Sequence, residues 1–216
     1  MVLRLIKYWP QLLIGIGLLT SVGCATLYQE TAGRLWQDRS GEDQKTDFKI
    51  HSGILKRLSE KNKGLLLDVS VDSWEKRVML TGTLDDPAVH KEVVALARKD
   101  VRIREFYDHI QLVSKDEKEA RRTKKQEHEK AKEEEKSGIG QTVDDFWIET
   151  KIKAQLLTGQ NITSVNYFNR SVKNKVYVIG KAKSHFEKDQ VLQILKKTKG
   201  VESVTEHIEV VAGASY

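Results

Sequence analysis

Two stretches of this chain superimpose without a gap when the sequence is displaced by 98 residues. Asp47 and Phe48 fall on Asp145 and Phe146, while Ile50, Ile54 and Leu58 fall on Ile148, Ile152 and Leu156. Val78, Gly82 and Val93 meet Val176, Gly180 and Val191, and His109, Ile110 and Val113 meet His207, Ile208 and Val211. Most coincident positions are apolar or glycine, so the duplicated feature is a core pattern. A duplicated core means two copies of one small domain. The copies span residues 46–113 and 144–211 of the 216-residue chain. A module of this size buries only roughly 60% of its unfolded surface, which leaves little room for a deep catalytic pocket in either copy.

Each copy reads as α-β-β-α-β. In the first, Phe48, Ile50, Ile54, Leu55 and Leu58 recur near helical spacing, with Lys49, Lys56, Arg57 and Glu60 on the other side. Asp47 is expected to be the N-cap of that helix. Leu65, Leu67, Val69 and Val71 alternate with Leu66, Asp68, Ser70 and Asp72, which predicts a half-buried strand; Trp74-Glu75-Lys76 turns the chain into a second alternating run through Val78, Leu80, Gly82 and Leu84. Asp85-Asp86-Pro87 starts a second helix, because a carboxylate cap followed by proline in the first turn favours one. A terminal strand carries Phe106, Ile110 and Leu112. The second copy predicts helix 146–157, strands near 162–170 and 175–182, helix 184–196 and strand 203–211. The fold class is therefore α+β: two small α-β-β-α-β domains, each a three-stranded sheet with two helices on one face. Gly82 and Gly180 hold the same mid-strand position, where glycine marks a bulge or a close backbone approach.

Ahead of the repeats, Arg4 and Lys7 precede an uninterrupted apolar run from Leu12 to Leu19, followed by Thr20-Ser21-Val22-Gly23 and the single cysteine, Cys24. That layout reads as a secretory signal and is too short for a transmembrane helix. A cysteine directly after Gly23 resembles the lipobox of bacterial lipoproteins, although Ser21 stands where leucine is usual. The lipobox reading makes residues 1–23 a signal peptide and Cys24 a lipidation site; the alternative is an ordinary signal cut after Ala25. Ala25 after the cysteine, rather than Asp, implies onward export to the outer membrane. Residues 24–45 read as a polar tether, with Trp36 exposed or docked on a neighbour, and 212–216 as a tail. With one cysteine, intramolecular disulfides and cysteine-based metal sites are excluded.

Charge is spread unevenly. The first copy holds 12 Lys/Arg against 11 Asp/Glu, a net +1, and the second 11 against 8, a net +3. The linker at 114–143 holds 9 against 8 and has no apolar stripe, so it predicts a polar helix acting as a solvated spacer. No basic run is interleaved with aromatics, which argues against nucleic acid as a partner. A mildly basic second module favours an anionic surface such as phospholipid.

With its two copies in this order, the pattern resembles a tandem BON-domain protein. The resemblance rests on Asp145-x-Trp147-Ile148-x-Thr150-Lys151-Ile152, on Val176-x-Val178-x-Gly180, and on Gly200-Val201 before the last strand. The first copy departs from it, with Lys49 in place of Trp147 and Arg102 in place of Gly200. Two BON domains behind a lipoprotein signal resemble the dual-BON lipoproteins of Gram-negative outer membranes. That resemblance implies a non-enzymatic protein without cofactor, anchored in the outer membrane and facing the periplasm. It would bind anionic phospholipid through the first helix of the second domain and support envelope integrity. The alternative is a soluble periplasmic, stress-protective protein whose partners are envelope proteins.

Trp147 lies one position off the Phe146/Ile148/Ile152/Leu156 stripe, at the edge or outside of the core, and Thr150, Lys151 and Ala154 share its face. An indole beside a lysine suits a phospholipid headgroup zone; packing against the neighbouring module is the other reading. His109 and His207 repeat in register, but neither has acids or cysteines at metal spacing, and both read as surface or edge-strand histidines. No phosphate loop, nucleophile elbow or HExxH motif is present, so no catalytic residue is assigned. Gly82, Gly180 and Gly200 are assigned structural roles.

Overall fold

The computed structural model describes residues 37–133 and 145–211, with side chains placed for all but 128–133. The first copy runs α1 (Gly41–Lys61), a one-turn helix α2 (Leu65–Asp68), β1 (Val69–Trp74), β2 (Arg77–Leu84), α3 (Pro87–Ala97) and β3 (Glu105–Leu112). Helix α4 (Lys115–Glu133) follows. The second copy runs α5 (Asp145–Thr158), a 3-10 turn (Ser164–Asn166), β4 (Tyr167–Val172), β5 (Lys175–Ala182), α6 (His185–Lys197) and β6 (Ser203–Val210). The chain is thus mixed α+β with two three-stranded sheets, ordered β1-β2-β3 and β4-β5-β6. In each, an antiparallel hairpin is joined by a third strand parallel to its centre, so that Val78 faces Phe106 and Val176 faces Val204.

The apolar stripes of the helices close onto one face of each sheet. Ile50, Ile54, Leu58, Val93 and Ala97 pack with Val69, Val71, Val78, Leu80 and Ile110. Ile148, Ile152, Leu156, Val191 and Leu195 pack with Val176, Val178, Ala182 and Ile208. Phe48, grouped with the first stripe by spacing, is half exposed. The strand reading from Leu65 is corrected: Leu65–Asp68 is a helical turn, because Leu65, Leu66 and Leu67 donate their N–H groups back to Asn62, Lys63 and Gly64. In the second copy the strand likewise begins only at Tyr167, after the 3-10 turn.

Both hairpins turn through two residues with positive φ, Glu75 and Lys76 in one and Lys173 and Asn174 in the other. Such turns match the strand twist but normally favour Asn-Gly. Here a carboxylate, buried in the first copy and partly buried in the second, offsets the strain. Asp47 accepts from Ser73 Oγ (3.2 Å), Glu75 N (2.7 Å) and Lys76 N (2.7 Å). Asp145 accepts from Ser171 Oγ (2.6 Å), Lys173 N (2.8 Å) and Asn174 N (2.9 Å). Asp47 is therefore not the N-cap of its helix. Ser40 is, its hydroxyl accepting from Asp43 N, and residues 41–45 are helix rather than tether. An arginine from the segment ahead of each copy completes the arrangement: Arg39 pairs with Asp47, and Arg121 of α4 with Asp145.

Two further expectations change. The described part of the linker is no solvated spacer, because α4 docks on the first copy. Arg122 grips the Asp68 carboxylate with two bonds of 2.6 Å, Lys118 pairs with Asp85, and Lys125 Nζ donates to the Leu67 carbonyl. The second change concerns the sheets, whose helix-free faces pack on each other around Trp74, Met79, Val172, Tyr177 and Ile179. Residues related by the 98-residue shift meet across this seam. Asp72 accepts two bonds from Arg170 at 2.7 and 2.8 Å, and His109 meets His207. An interface in which residue i contacts its own counterpart is the signature of two-fold symmetry, here internal to one chain. Arg77, 1% exposed, locks the seam by donating to the carbonyls of His207 and Gly180, both at 2.8 Å.

The three assigned glycines have clear geometric surroundings. A Cβ on Gly82 would lie 2.0 Å from the Asp68 carbonyl oxygen, and one on Gly180 2.1 Å from that of Asn166. Gly200 has φ +94°, a conformation open to glycine and strained for arginine, its counterpart in the first copy.

Candidate functional site

Helix α5 places Ile148, Ile152 and Leu156 in the second core, and this fixes what its outer face offers. Thr150, Lys151 and Ala154 are exposed there. Trp147 is partly buried and packs its ring against the core edge, so it borders this face rather than standing out from it. Leu157, not singled out from sequence, is 73% exposed. It lies seven residues beyond Thr150 and three beyond Ala154, so helical spacing could have identified it.

A second element adds charge to this face. Thr198, just past α6, donates its hydroxyl to Gln155 Oε1 of α5 at 2.7 Å. That contact brings together two segments, 150–161 and 192–201, which carry Lys151, Lys153, Lys196, Lys197 and Lys199 and no Asp or Glu. All five lysines are exposed. The same face of the first copy, 52–63 and 94–103, contains Glu60 and Asp100. Most of its cations are committed: Lys56 to Glu60, Lys61 to Glu92, Arg102 to Asp100, and Arg57 to the Leu96 carbonyl, while Lys63 and Lys99 are exposed. Arg98 lies over the Phe106 ring, 4.2 Å from its centroid, within cation–π reach.

On the opposite side of α5, a groove of about 880 Å³ lies between α4, the first sheet and the second hairpin, lined in part by Leu67, Arg122, Phe146 and Arg170. Glu149 reaches into it and accepts from Ser171 N at 2.7 Å. Burial raises the Glu149 pKa above the usual carboxylate value, against the opposing charge of Arg170. For Asp145 burial also acts upward, but the bonds from Ser171 and Asn174 and the charge of Arg121 outweigh it and leave its pKa lowered. These groups form ion pairs and turn caps; the hydroxyl beside Asp145, that of Ser171, is buried and is part of the turn cap.

His109 and His207 lie on the edge strands β3 and β6, one of the two placements expected for them, but not on an open surface: both are half-buried and their Nε2 atoms lie 2.8 Å apart in the seam. The His207 ring stacks on Tyr107 with centroids 3.6 Å apart, and the His109 ring on Tyr177 at 4.5 Å. Burial lowers both pKa values, that of His207 to about 4. Among the described residues, no group of three or more His, Cys, Asp or Glu is arranged to hold a metal ion. No described helix is long and apolar enough to cross a membrane. Cys24 and the signal segment lie outside the described residues.

Residues 144–212 match the family described as BON domain, so one BON domain is found, over the second copy. An Anaplasma centrale protein described as an uncharacterized protein in the gshII 5′ region is 29% identical over 145 residues, covering 67% of this chain and 83% of that protein. Among solved structures, CdsD, a structural protein of the Type III secretion system of Chlamydia trachomatis, aligns at 8% identity over 74% of this chain and 91% of its own, with a TM-score of 0.31. Its C-terminal domain aligns at 12% identity over 73% of this chain and 63% of that structure, with a TM-score of 0.27.

Proposed function

We propose that this chain is a non-enzymatic envelope protein that docks on anionic phospholipid through its second copy, with Cys24 as a lipid anchor at the outer membrane. The BON domain found over that copy points to a membrane- or envelope-associated or stress-related role. The single observation that carries the lipid reading is the outer face of α5 and the end of α6: five exposed lysines without an acid among them, around an exposed Leu157 and bordered by Trp147. Each lysine held near an anionic leaflet contributes about 1 kcal/mol. Burying the exposed leucine in the headgroup zone adds roughly 1–2 kcal/mol. A single lipid chain gives only marginal, reversible attachment, so a protein anchored at Cys24 gains from a second contact of this kind.

Flotation with phosphatidylglycerol vesicles tests the reading, using protein in which Cys24→Ser removes the anchor. Binding is expected to phosphatidylglycerol and not to phosphatidylcholine, and to be lost in Leu157→Glu, which replaces a side chain that is largely exposed. Flotation that depends wholly on Cys24 would sink the reading and leave the stress-protective, protein-binding alternative.

A further inference from the structure

His109 and His207 are brought together by the internal two-fold relation of the copies, not by either copy alone. A bond of 2.8 Å between two Nε2 atoms requires one ring to donate N–H and the other to accept with a bare nitrogen. Two neutral imidazoles of opposite tautomer satisfy this. So does the singly protonated pair, in which an imidazolium donates to a neutral ring. The doubly protonated pair does not, because two N–H donors and two positive charges would then face each other. The rings are stacked between Tyr107 and Tyr177, which leaves them no room to turn apart while the sheets remain closed.

The groups around the pair leave the second proton uncompensated. Arg77, from β2, is a fixed cation whose guanidinium donates to the His207 carbonyl. The nearby carboxylates are already committed. On β3, Glu105 accepts from the Tyr107 hydroxyl and Asp108 pairs with His90 at 2.8 Å. On β6, Glu206 pairs with Lys188 at 2.9 Å and Glu209 with Arg104 at 2.6 Å. From β5, the Tyr177 hydroxyl accepts from Gln111 Nε2 of β3 at 3.1 Å.

We propose that the seam between the two copies is an acid-labile latch, closed while His109 and His207 share at most one proton and opened when both are protonated. Lowered pKa values for both imidazoles agree with this, since they mean that the closed seam disfavours protons. A base whose closed-state pKa lies below its free value of about 6.5 contributes fully above that value. Its contribution is lost as pH falls from there towards the closed-state value, about 4 for His207. Each proton taken up on opening raises the opening equilibrium by about tenfold per pH unit in that window. Because the first proton is tolerated and the second is not, opening takes up about one proton and should be no steeper than a single-site titration once the pair holds its first proton. The latch is independent of the lipid-docking reading, which concerns the opposite side of the second copy.

Thiol labelling measures the opening directly. In a full-length Cys24→Ser background, Thr81→Cys places a thiol at a position 1% exposed on the seam side of β2. Its reaction with 4,4′-dithiodipyridine is followed from pH 7.5 to 4.5 and normalised to the denatured chain at each pH. Protection is expected to fall more than tenfold between pH 7 and 5, and less than threefold in His109→Gln/His207→Gln, where an amide pair keeps a hydrogen bond but cannot titrate. Equal pH dependence in both backgrounds, or unchanged protection in the first, would overturn the latch. If the glutamine pair does not fold, the histidine ring resonances of the unaltered protein decide. Both imidazoles titrating near 6.5, without loss of seam contacts, is the result that refutes it.

Discussion

The two copies share a scaffold and differ in what becomes of their cations. In the first, the face formed by α1 and the end of α3 carries lysines and arginines tied to Glu60, Glu92 and Asp100. In the second, the same face has lost its acids, and Lys151, Lys153, Lys196, Lys197 and Lys199 stand exposed. Exposed ion pairs contribute little to stability, so removing the acids costs the fold almost nothing. Over the matched segments the net charge is the same, seven cations against two acids in the first copy and five lysines against none in the second, so the faces differ in how their cations are held rather than in their sum. Duplication thus left one copy to serve as a braced platform, held by α4 through Arg122 and Asp68, and freed the outer face of the other.

The sharpest way to break that comparison is at the positions the copies share. Gly82→Ala and Gly180→Ala would each drive a Cβ to about 2 Å from a backbone carbonyl oxygen, a contact no side-chain movement relieves. Gly82 also has φ +132°, which compounds the strain. Loss of more than about 4 kcal/mol is expected for each, enough to unfold the protein, read as absence of a cooperative thermal transition. A stable Gly82→Ala protein would show that the close approach of Asp68 is not required.

Next in size are the hairpin carboxylates, where the copies should separate. Asp47→Ala removes a carboxylate 3% exposed that caps the turn and faces the buried Arg39, for a loss of about 3–4 kcal/mol in urea unfolding. Asp145→Ala should cost about half as much, because its partner Arg121 is 28% exposed and keeps solvent contact. Asp145 also predicts an acid limb. Its folded pKa lies below the ordinary 3.8, so its contribution is present above that value and lost as pH falls through the lower one. Asp145→Asn should flatten the stability curve below pH ~4 and leave the histidine window above it untouched.

How far these features were legible in the sequence depends on whether their partners were local. The 98-residue shift located the helices, the strands and the glycines because each depends on periodicity or on a repeated apolar position. It also flagged Asp47 and Asp145, but helix-start chemistry gave Asp47 the wrong role. Their true partners are turn amides 28 and 29 residues away, beyond any local window. The seam left one signal that alternation alone overlooks: Val176-Tyr177-Val178-Ile179 is apolar throughout, as a strand covered on both faces should be. Read that way, β5 needed a second layer, and residues in register, such as His109 and His207, were candidates for meeting across it. The α4 helix was misread because its ion pairs reach side chains of another element, and composition cannot separate a docked polar helix from a solvated one.

The smallest effect bears most directly on the division of labour. Lys196→Glu/Lys197→Glu alters two exposed side chains at the end of α6, so the thermal midpoint should move by less than about 2 °C. Two lysines near an anionic leaflet contribute about 2 kcal/mol together, so affinity for phosphatidylglycerol vesicles should fall roughly 30-fold, and the difference should shrink as salt is raised. The counterparts in the first copy are Arg98 and Lys99, of which Arg98 lies over the Phe106 ring. Lys99→Glu there should change vesicle affinity less than twofold. Restoring acids to the second copy at positions that match the first, Thr158→Glu for Glu60 and Thr198→Asp for Asp100, is less clean, since Thr198 is buried and bonded to Gln155. Thr158→Glu alone is the informative exchange: it places one carboxylate among five lysines on an exposed turn and should weaken vesicle binding several-fold. Equal losses from Lys99→Glu and Lys196→Glu/Lys197→Glu would mean that binding follows net charge alone, and that the two copies do not divide the work.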